Sequence, residues 1–493
     1  MAGKTCATAQ LLPTEIWLSI IENLYESTLI SRTGTVVPYS GPLDLTSYSR
    51  TLRTFSNLCL TCQRLRDFAQ PLMYREFAFG YGQRRTDKLW EGRLVSLATT
   101  LATRHDLAAQ MTHVFLDERL LHGALKDDLE PAIQRAGSAL AAPMKLPSPA
   151  SSVSPGPCQW RRAVLLLSLT LRLMPNLTHI AEDVSLRRVV PKPRNQGEVY
   201  GPEKVLDEYV RSALDLSNSE TGAEDCGRTS GVFRQVKSLE FMTVFKPRTP
   251  LLFTSLRSWN VETLTLRGGF HAAVVTAIVA SVKNLRIMNY RLRSPQSLEP
   301  LLAAWGSLES FYLDSIPTSR RSREIGYIDP EYDSHITPAE LVDLLSKSCQ
   351  ALRHLHLDLS FVDFQQATTI SLNHFTKMHT LTISANSFGV SGFNQPEPPE
   401  RPPDWLTRAL PGTIEVLTLL GAGYEFPKYK AGLLALRGAL DAGSFPSLKR
   451  IRLAYFYYPD FWGPEDTSKM RRFLDMFAGV DVKVTIRGSG CER

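Results

Sequence analysis

One six-residue pattern, apolar-x-x-apolar-x-apolar, returns along most of this chain and leaves few architectures open to it. It stands at Met111 to Leu116, Val236 to Phe241, Val261 to Leu266, Val282 to Ile287 and Leu308 to Leu313. It stands again at Leu352 to Leu357, Met378 to Ile383, Ile414 to Leu419 and Leu448 to Leu453, with a weaker copy at Leu177 to Ile180. The fourth and sixth positions alternate, so both side chains leave one face of a short strand. Between fourth positions, Leu239 to Leu264 is 25 residues, Leu264 to Leu285 is 21, and Leu285 to Phe311 and Leu355 to Leu381 are 26 each. The longer steps carry extra loop. A strand that recurs at so steady a period, in units too small to bury their own apolar face, gains its stability by stacking on its neighbours.

Helical stretches fall between the strands, at Ala272 to Val282, Pro338 to Ser348 and Gly432 to Leu440, and an amphipathic helix is expected over Leu89 to Leu107. Hexamer and period together resemble an irregular leucine-rich repeat, whose units run to roughly 20–29 residues. The asparagine that follows the strand in that family is mostly missing here. The resemblance implies an α/β solenoid with a parallel strand ladder over residues 89–490, closed by a last strand through Val482, Val484 and Ile486. A doubly wound α/β domain also alternates strand and helix; the shared hexamer argues against that alternative. Three segments read as disordered inserts: residues 141–156, rich in proline, serine and alanine; residues 191–231, with a short helix around Glu203 to Leu214; and the proline-rich 391–404.

If the fourth and sixth positions point into the core, their neighbours point outward in rows across the ladder. Candidate residues of that face are Arg267, Arg286, Tyr312, Asp314, His356, Asp358 and Arg452. The mixture of charge and aromatic surface suits a protein partner. His354, His356 and Asp358 stand in line on one strand, an arrangement that does not surround an ion and reads as an exposed recognition row.

The N-terminal stretch follows different rules. Pro13 suits a first helical turn and Glu15 the positive end of the helix dipole. Ile16, Ile20 and Leu24 then lay down an apolar stripe at i, i+4, i+8. Leu58, Cys62, Leu65, Ala69 and Leu72 form a seam of a helical pair that Pro71 is expected to end. These residues, with Leu12-Pro13, Leu60 and Tyr74-Arg75, resemble an F-box over residues 11–77, interrupted by a polar insert at about 28–47. Leu65 stands where many members of that family carry tryptophan. The resemblance implies docking on a Skp-family adaptor, and through it on a cullin, by way of Leu12, Pro13, Ile16, Ile20, Leu58 and Leu65. An ordinary helical cap on a larger domain is the plainer alternative.

Composition narrows the classes further. A formal charge of +7 over 493 residues, with no run of five basic side chains, reads as a solvated surface rather than a nucleic-acid site. No apolar stretch approaches the roughly 20 residues of a membrane span; the nearest, Ala163 to Met174, is broken by Ser168, Thr170 and Arg172. Seven scattered cysteines fit a reducing compartment, so an intracellular location, cytoplasm or nucleus, is expected. Cys59-x-x-Cys62 has metal-ligand spacing, but no second pair follows and Cys62 belongs to the seam, so no metal is expected. Phosphate-loop, nucleophile-elbow and zinc-helix motifs are absent, and Gly421-Ala-Gly423 reads as a turn. No catalytic residue and no cofactor are expected. The expectation is a non-catalytic substrate receptor of an SCF-type ubiquitin ligase that binds a protein substrate, with no nucleic acid and no membrane as partner. The alternatives are a scaffold that recruits no ligase and, further off, a nucleic-acid-binding solenoid using Arg267, Arg286, Arg450 and Arg452.

Overall fold

The computed structural model describes residues 12–33, 45–77, 91–125, 127–140, 155–183, 235–242, 261–267, 282–288, 298–299, 302–303, 305–314, 336–358, 370–384, 402–420, 422–455 and 474–488. The chain divides into two compact units, Met1–Val261 and Glu262–Arg493. Both are mixed α/β.

The first unit opens with three helices, α1 (Thr14–Thr33), α2 (Leu45–Thr61) and α3 (Gln63–Met73). Helix α1 runs further than the sequence suggests and α2 starts earlier, so both edges of the expected 28–47 insert are helical. Cys62 takes an extended conformation, φ −160° and ψ 164°, and splits the apolar seam between α2 and α3. Pro71 does not end α3, which continues to Met73. Its missing N–H costs one rung of the ladder, and the Tyr74 N–H donates to the Gln70 carbonyl at 3.3 Å, so the final turn closes around the proline.

A two-residue strand, β1 (Glu76–Phe77), follows, and then β2 (His113–Asp117), β3 (His179–Asp183) and β4 (Ser238–Met242) pair in sequence order, all parallel. Helix α4 (Arg93–Thr103) and the single turn α5 (His105–Ala108) replace the one helix expected over Leu89 to Leu107. After β2 come α6 (Glu118–Ala124), α7 (Glu130–Ala139) and α8 (Pro155–Arg172). Helices α4, α7 and α8 pack on one another through Leu94, Leu101, Ile133, Ala136 and Leu166, all buried. Ser168 and Thr170, which break the apolar run of α8, are themselves buried. Their hydroxyls donate to the carbonyls of Val164 and Leu166 at 3.0 and 2.6 Å, which satisfies the polar atoms inside the core. No helix among the described residues is long and apolar enough to cross a membrane. Residues 155 and 156, expected in a disordered insert, begin α8; the rest of that insert, all of 191–231 and most of 391–404 lie outside the described residues.

The second unit carries β5 (Thr263–Arg267), β6 (Asn284–Met288), β7 (Ser310–Asp314), β8 (His354–Asp358), β9 (Thr380–Ser384), β10 (Val416–Leu420), β11 (Arg450–Tyr455) and β12 (Lys483–Gly488). Within this unit the strands pair in parallel in sequence order, from β5 with β6 to β11 with β12. Every strand inside a hexamer starts at its third position. The fourth positions fall in one register, Leu264, Leu285, Phe311, Leu355, Leu381, Leu417, Ile451 and Val484. All but the last, in the closing strand, are fully buried, as are the first positions Val261, Val282, Leu308, Leu352, Met378 and Ile414. This burial of a repeating set in register is what the hexamer encodes.

The register extends one residue ahead of each strand. The Lys283 carbonyl accepts from the N–H groups of Glu309 and Ser310, the Glu309 carbonyl from Arg353 and His354, and the Arg353 carbonyl from His379 and Thr380. His379 and Glu415 pass the same double bond onward, all at 2.8–3.1 Å. Helix α9 (Pro338–Ser348) matches its expected bounds and begins in a capping box: the Thr337 hydroxyl accepts from the Glu340 N–H, and the Glu340 carboxylate accepts from the Thr337 N–H at 2.8 Å. Further on, α10 (Trp405–Ala409) packs against α11 (Ala422–Asp441), so Ala422 and Gly423, expected in a turn, open a long helix; Gly421 lies outside the described residues. The expected helix at Ala272 to Val282 lies outside the described residues save its last.

Candidate functional site

Two surfaces carry the residues singled out by the sequence, one in each unit, and each is built by its own periodicity.

The first is the outer side of α1. Ile21 is buried to 1% exposure with Phe55, Leu65 and Ala69, and Trp17, Leu58, Phe68 and Leu72 pack against them. Helix α1 is tied to α3 at its start, where Arg64 Nη2 donates to the Leu12 carbonyl at 3.1 Å and to Thr14 Oγ1 at 3.0 Å. With Trp17 and Ile21 turned inward, the i, i+4 series Leu12, Ile16, Ile20 and Leu24 is left outside, at 39–46% exposure. Leu18 and Leu60 add to the exposed apolar surface, Leu60 at 77%. A run of side chains this size, at one spacing, is unusual on a surface with nothing to cover it.

Of the six candidate docking residues, then, Leu12, Pro13, Ile16 and Ile20 are exposed. Leu58 is half-buried against the helical core. Leu65 is a correction: it is buried inside that core and is not available to a partner, because α3 turns it toward Ile21 and Phe55. Cys59 and Cys62 flank the same core, with the Cys59 thiol 3.7 Å from Met73 Sδ and its pKa raised by burial. The sequence reading missed Trp17 and Ile21 as the inward pair. The apolar arc of α1 takes in both Trp17–Ile21 and Ile16–Ile20–Leu24, so the pattern alone does not say which part of it packs.

The second surface is the outward side of the ladder in the Glu262–Arg493 unit. Thr265, Arg286, Tyr312, His356, Thr382, Thr418, Arg452 and Thr485 stand in one register. Arg286 is exposed; Tyr312 and His356 are half-buried and stack at 3.8 Å between centroids and 15° between planes. His356 Nε2 is sealed from solvent without a hydrogen-bond partner, although part of the ring remains accessible. Burial of the titrating atom, and secondarily the Arg286 charge, push the His356 pKa down to about 3. His356 is therefore a neutral aromatic surface, and only His354 of the expected recognition row is exposed.

Asp314 and Asp358 are the second correction. They are register partners at the ends of β7 and β8, yet only 6% and 3% exposed, and both are engaged by neighbouring groups. A charged group held that deep keeps its place through such partners, so neither offers a carboxylate to a ligand. Ser384 and Leu420, on the corresponding ends of β9 and β10, are buried as well. Arg452 is half-buried and the side chain of Arg267 lies outside the described residues. Among the described side chains, the exposed arginines and lysines on this side are Arg286, Arg450 and Lys483, the last two being register partners on β11 and β12.

One rim of the ladder, at the second hexamer position, reads Glu262, Lys283, Glu309, Arg353, His379, Glu415 and Lys449. Its charges alternate and pair between neighbouring repeats of the hexamer: Lys449 Nζ lies 2.9 Å from Glu415 Oε2, and His379 Nδ1 lies 3.2 Å from Glu415 Oε1. The Lys449 hydrogen bond and charge hold the Glu415 carboxyl below the usual carboxylate range. Cys349 is buried, which pushes its thiol up to about 12 and leaves it inert near neutrality. Among the described residues no group of three or more His, Cys, Asp or Glu side chains is arranged to hold a metal ion. Set against known proteins, the chain matches no family model and no curated protein.

Proposed function

We propose that this chain is a non-catalytic substrate receptor of an SCF-type cullin-RING ubiquitin ligase. The outer face of α1 docks on a Skp-family adaptor, and the strand face of the repeat body holds a protein substrate. Holding the substrate beside a ubiquitin-loaded enzyme raises its effective concentration, which is the receptor's whole contribution. The observation that carries this reading is the exposed stripe Leu12, Ile16, Ile20 and Leu24, which begins just ahead of α1 and runs along it beside the residues, Trp17 and Ile21, that pack on the helical core. The resemblance of residues 11–77 to an F-box, and of the recurring hexamer to leucine-rich repeats, supports the two roles.

The test is purification of the tagged chain from cells with a blocked proteasome, followed by mass spectrometry. The Skp-family adaptor and a cullin co-purify with wild type and are lost from a Leu12→Ala/Ile16→Ala form. Absence of the adaptor from both preparations favours a scaffold that recruits no ligase.

A further inference from the structure

We infer that the strand face of the Glu262–Arg493 unit takes an extended acidic peptide, laid across β6 to β12 with its carboxylates toward the two ends. This names the substrate chemistry of the face used by the substrate-receptor reading, and rests on that reading only for the choice of surface. Three observations lead to it. Among the described side chains of the outward rows the exposed charge is positive, at Arg286 on β6 and at Arg450 and Lys483 on β11 and β12, because the two aspartates of the same rows, Asp314 and Asp358, are buried. The carboxylates and the lysine and arginine side chains of the adjoining rim balance, three of each, Glu262, Glu309 and Glu415 alternating with Lys283, Arg353 and Lys449. Between the two cationic ends, β9 and β10 present the half-buried hydroxyls of Thr380, Thr382 and Thr418, which carry no charge and can donate or accept along a peptide backbone.

Spacing sets the length. Five strand-to-strand steps separate Arg286 from Arg450, about 24 Å at about 4.8 Å per step, and an extended chain covers that in about seven residues. The stacked Tyr312 and His356 lie just inside the Arg286 end, where a flat neutral surface suits a peptide plane or an apolar side chain next to the first carboxylate. A nucleic acid fits this arrangement poorly. Its strand carries a phosphate at every nucleotide, so most of those charges would face the uncharged threonines.

The test is fluorescence anisotropy on the full chain. The probe is a labelled peptide of about nine residues with two aspartates at each end and a Ser/Gly spacer, compared with a version whose aspartates are clustered centrally and with labelled oligothymidylate. The end-charged peptide binds best. Arg286→Glu weakens it roughly fivefold and Arg450→Glu/Lys483→Glu roughly tenfold or more, while the melting temperatures stay at the wild-type value because all three side chains are exposed. Equal binding of both peptides, tighter binding of oligothymidylate, indifference to the reversals or no peptide binding at all overturns the inference. Adaptor co-purification is scored on the same preparations. A chain that takes the adaptor but not the peptide sinks this inference alone; one that takes the peptide but not the adaptor sinks the ligase reading and leaves this one standing.

Discussion

The proposed docking role gives the exposed and the packed apolar residues of α1 different duties, and paired substitutions separate them. Ile16 and Ile20 keep 46% and 41% of their surface exposed, whereas Ile21 keeps 1%. Fully burying an isoleucine is worth about 1.5–3 kcal/mol, so the part of each outer residue still exposed represents about 1 kcal/mol at most after allowing for the methyl that alanine retains. Ile16→Ala/Ile20→Ala therefore forfeits about 1–2 kcal/mol of docking energy, a roughly 5- to 30-fold rise in Kd for the Skp-family adaptor. Stability is unchanged or slightly higher, alanine being the better helix former. Ile21→Ala opens a void among Phe55, Leu65 and Ala69 and costs about 2–5 kcal/mol of folding stability. Calorimetric melting and surface plasmon resonance against purified adaptor read the two effects separately. If the outer pair lowers Tm as Ile21→Ala does, the stripe is packed and not free. If it changes neither Tm nor Kd, the docking face lies elsewhere.

Two further outcomes follow from the second unit. At Gly432 an added Cβ would sit 2.7 Å from Trp405 Nε1 and 3.1 Å from Leu406 Cβ, so Gly432→Ala forces α10 and α11 apart and lowers stability by about 1–3 kcal/mol in urea denaturation, despite alanine's helix preference. His356 titrates at about 3 when folded, far below the ordinary histidine value of about 6.5, so between those pH values the unfolded chain binds a proton that the folded one refuses. Its contribution is thus lost as pH falls from about 6.5 toward 3. His356→Phe, which keeps the stack on Tyr312, flattens that part of the stability profile, and an unchanged slope in melts across this range would count against the buried neutral imidazole.

The strand ladder was legible in the sequence because its signal is redundant. Each hexamer places three apolar side chains in the core, and the fourth-position register from Leu264 to Ile451 repeats one choice at every coil. The candidate face was less legible. Alternation says that Asp314 and Asp358 leave the core side of the sheet, but not whether neighbours then close over them, and burial of both removes the acidic half of the expected surface. The same limit applies to α1, where an apolar residue stands at almost every turn and only the placement of Phe55 and Leu65 decides that Ile21 goes in and Ile20 stays out. Pro71 and Gly423 fail to interrupt their helices for a related reason: a breaker within a turn of a helix end costs too little to overrule the packing around it.

The doubled bond that each of the carbonyls Lys283, Glu309, Arg353, His379 and Glu415 offers to the next strand gives the ladder a ratchet-like keying at one place per strand. Whatever leads out of a strand can grow or shrink without disturbing the neighbours, since alignment is re-established by two consecutive amides on arrival. From Phe311 to Leu355 the path is 44 residues and from Leu355 to Leu381 only 26, yet both pairs meet in step. A single deletion inside any hexamer has no such remedy, and would turn the remainder of that strand inside out.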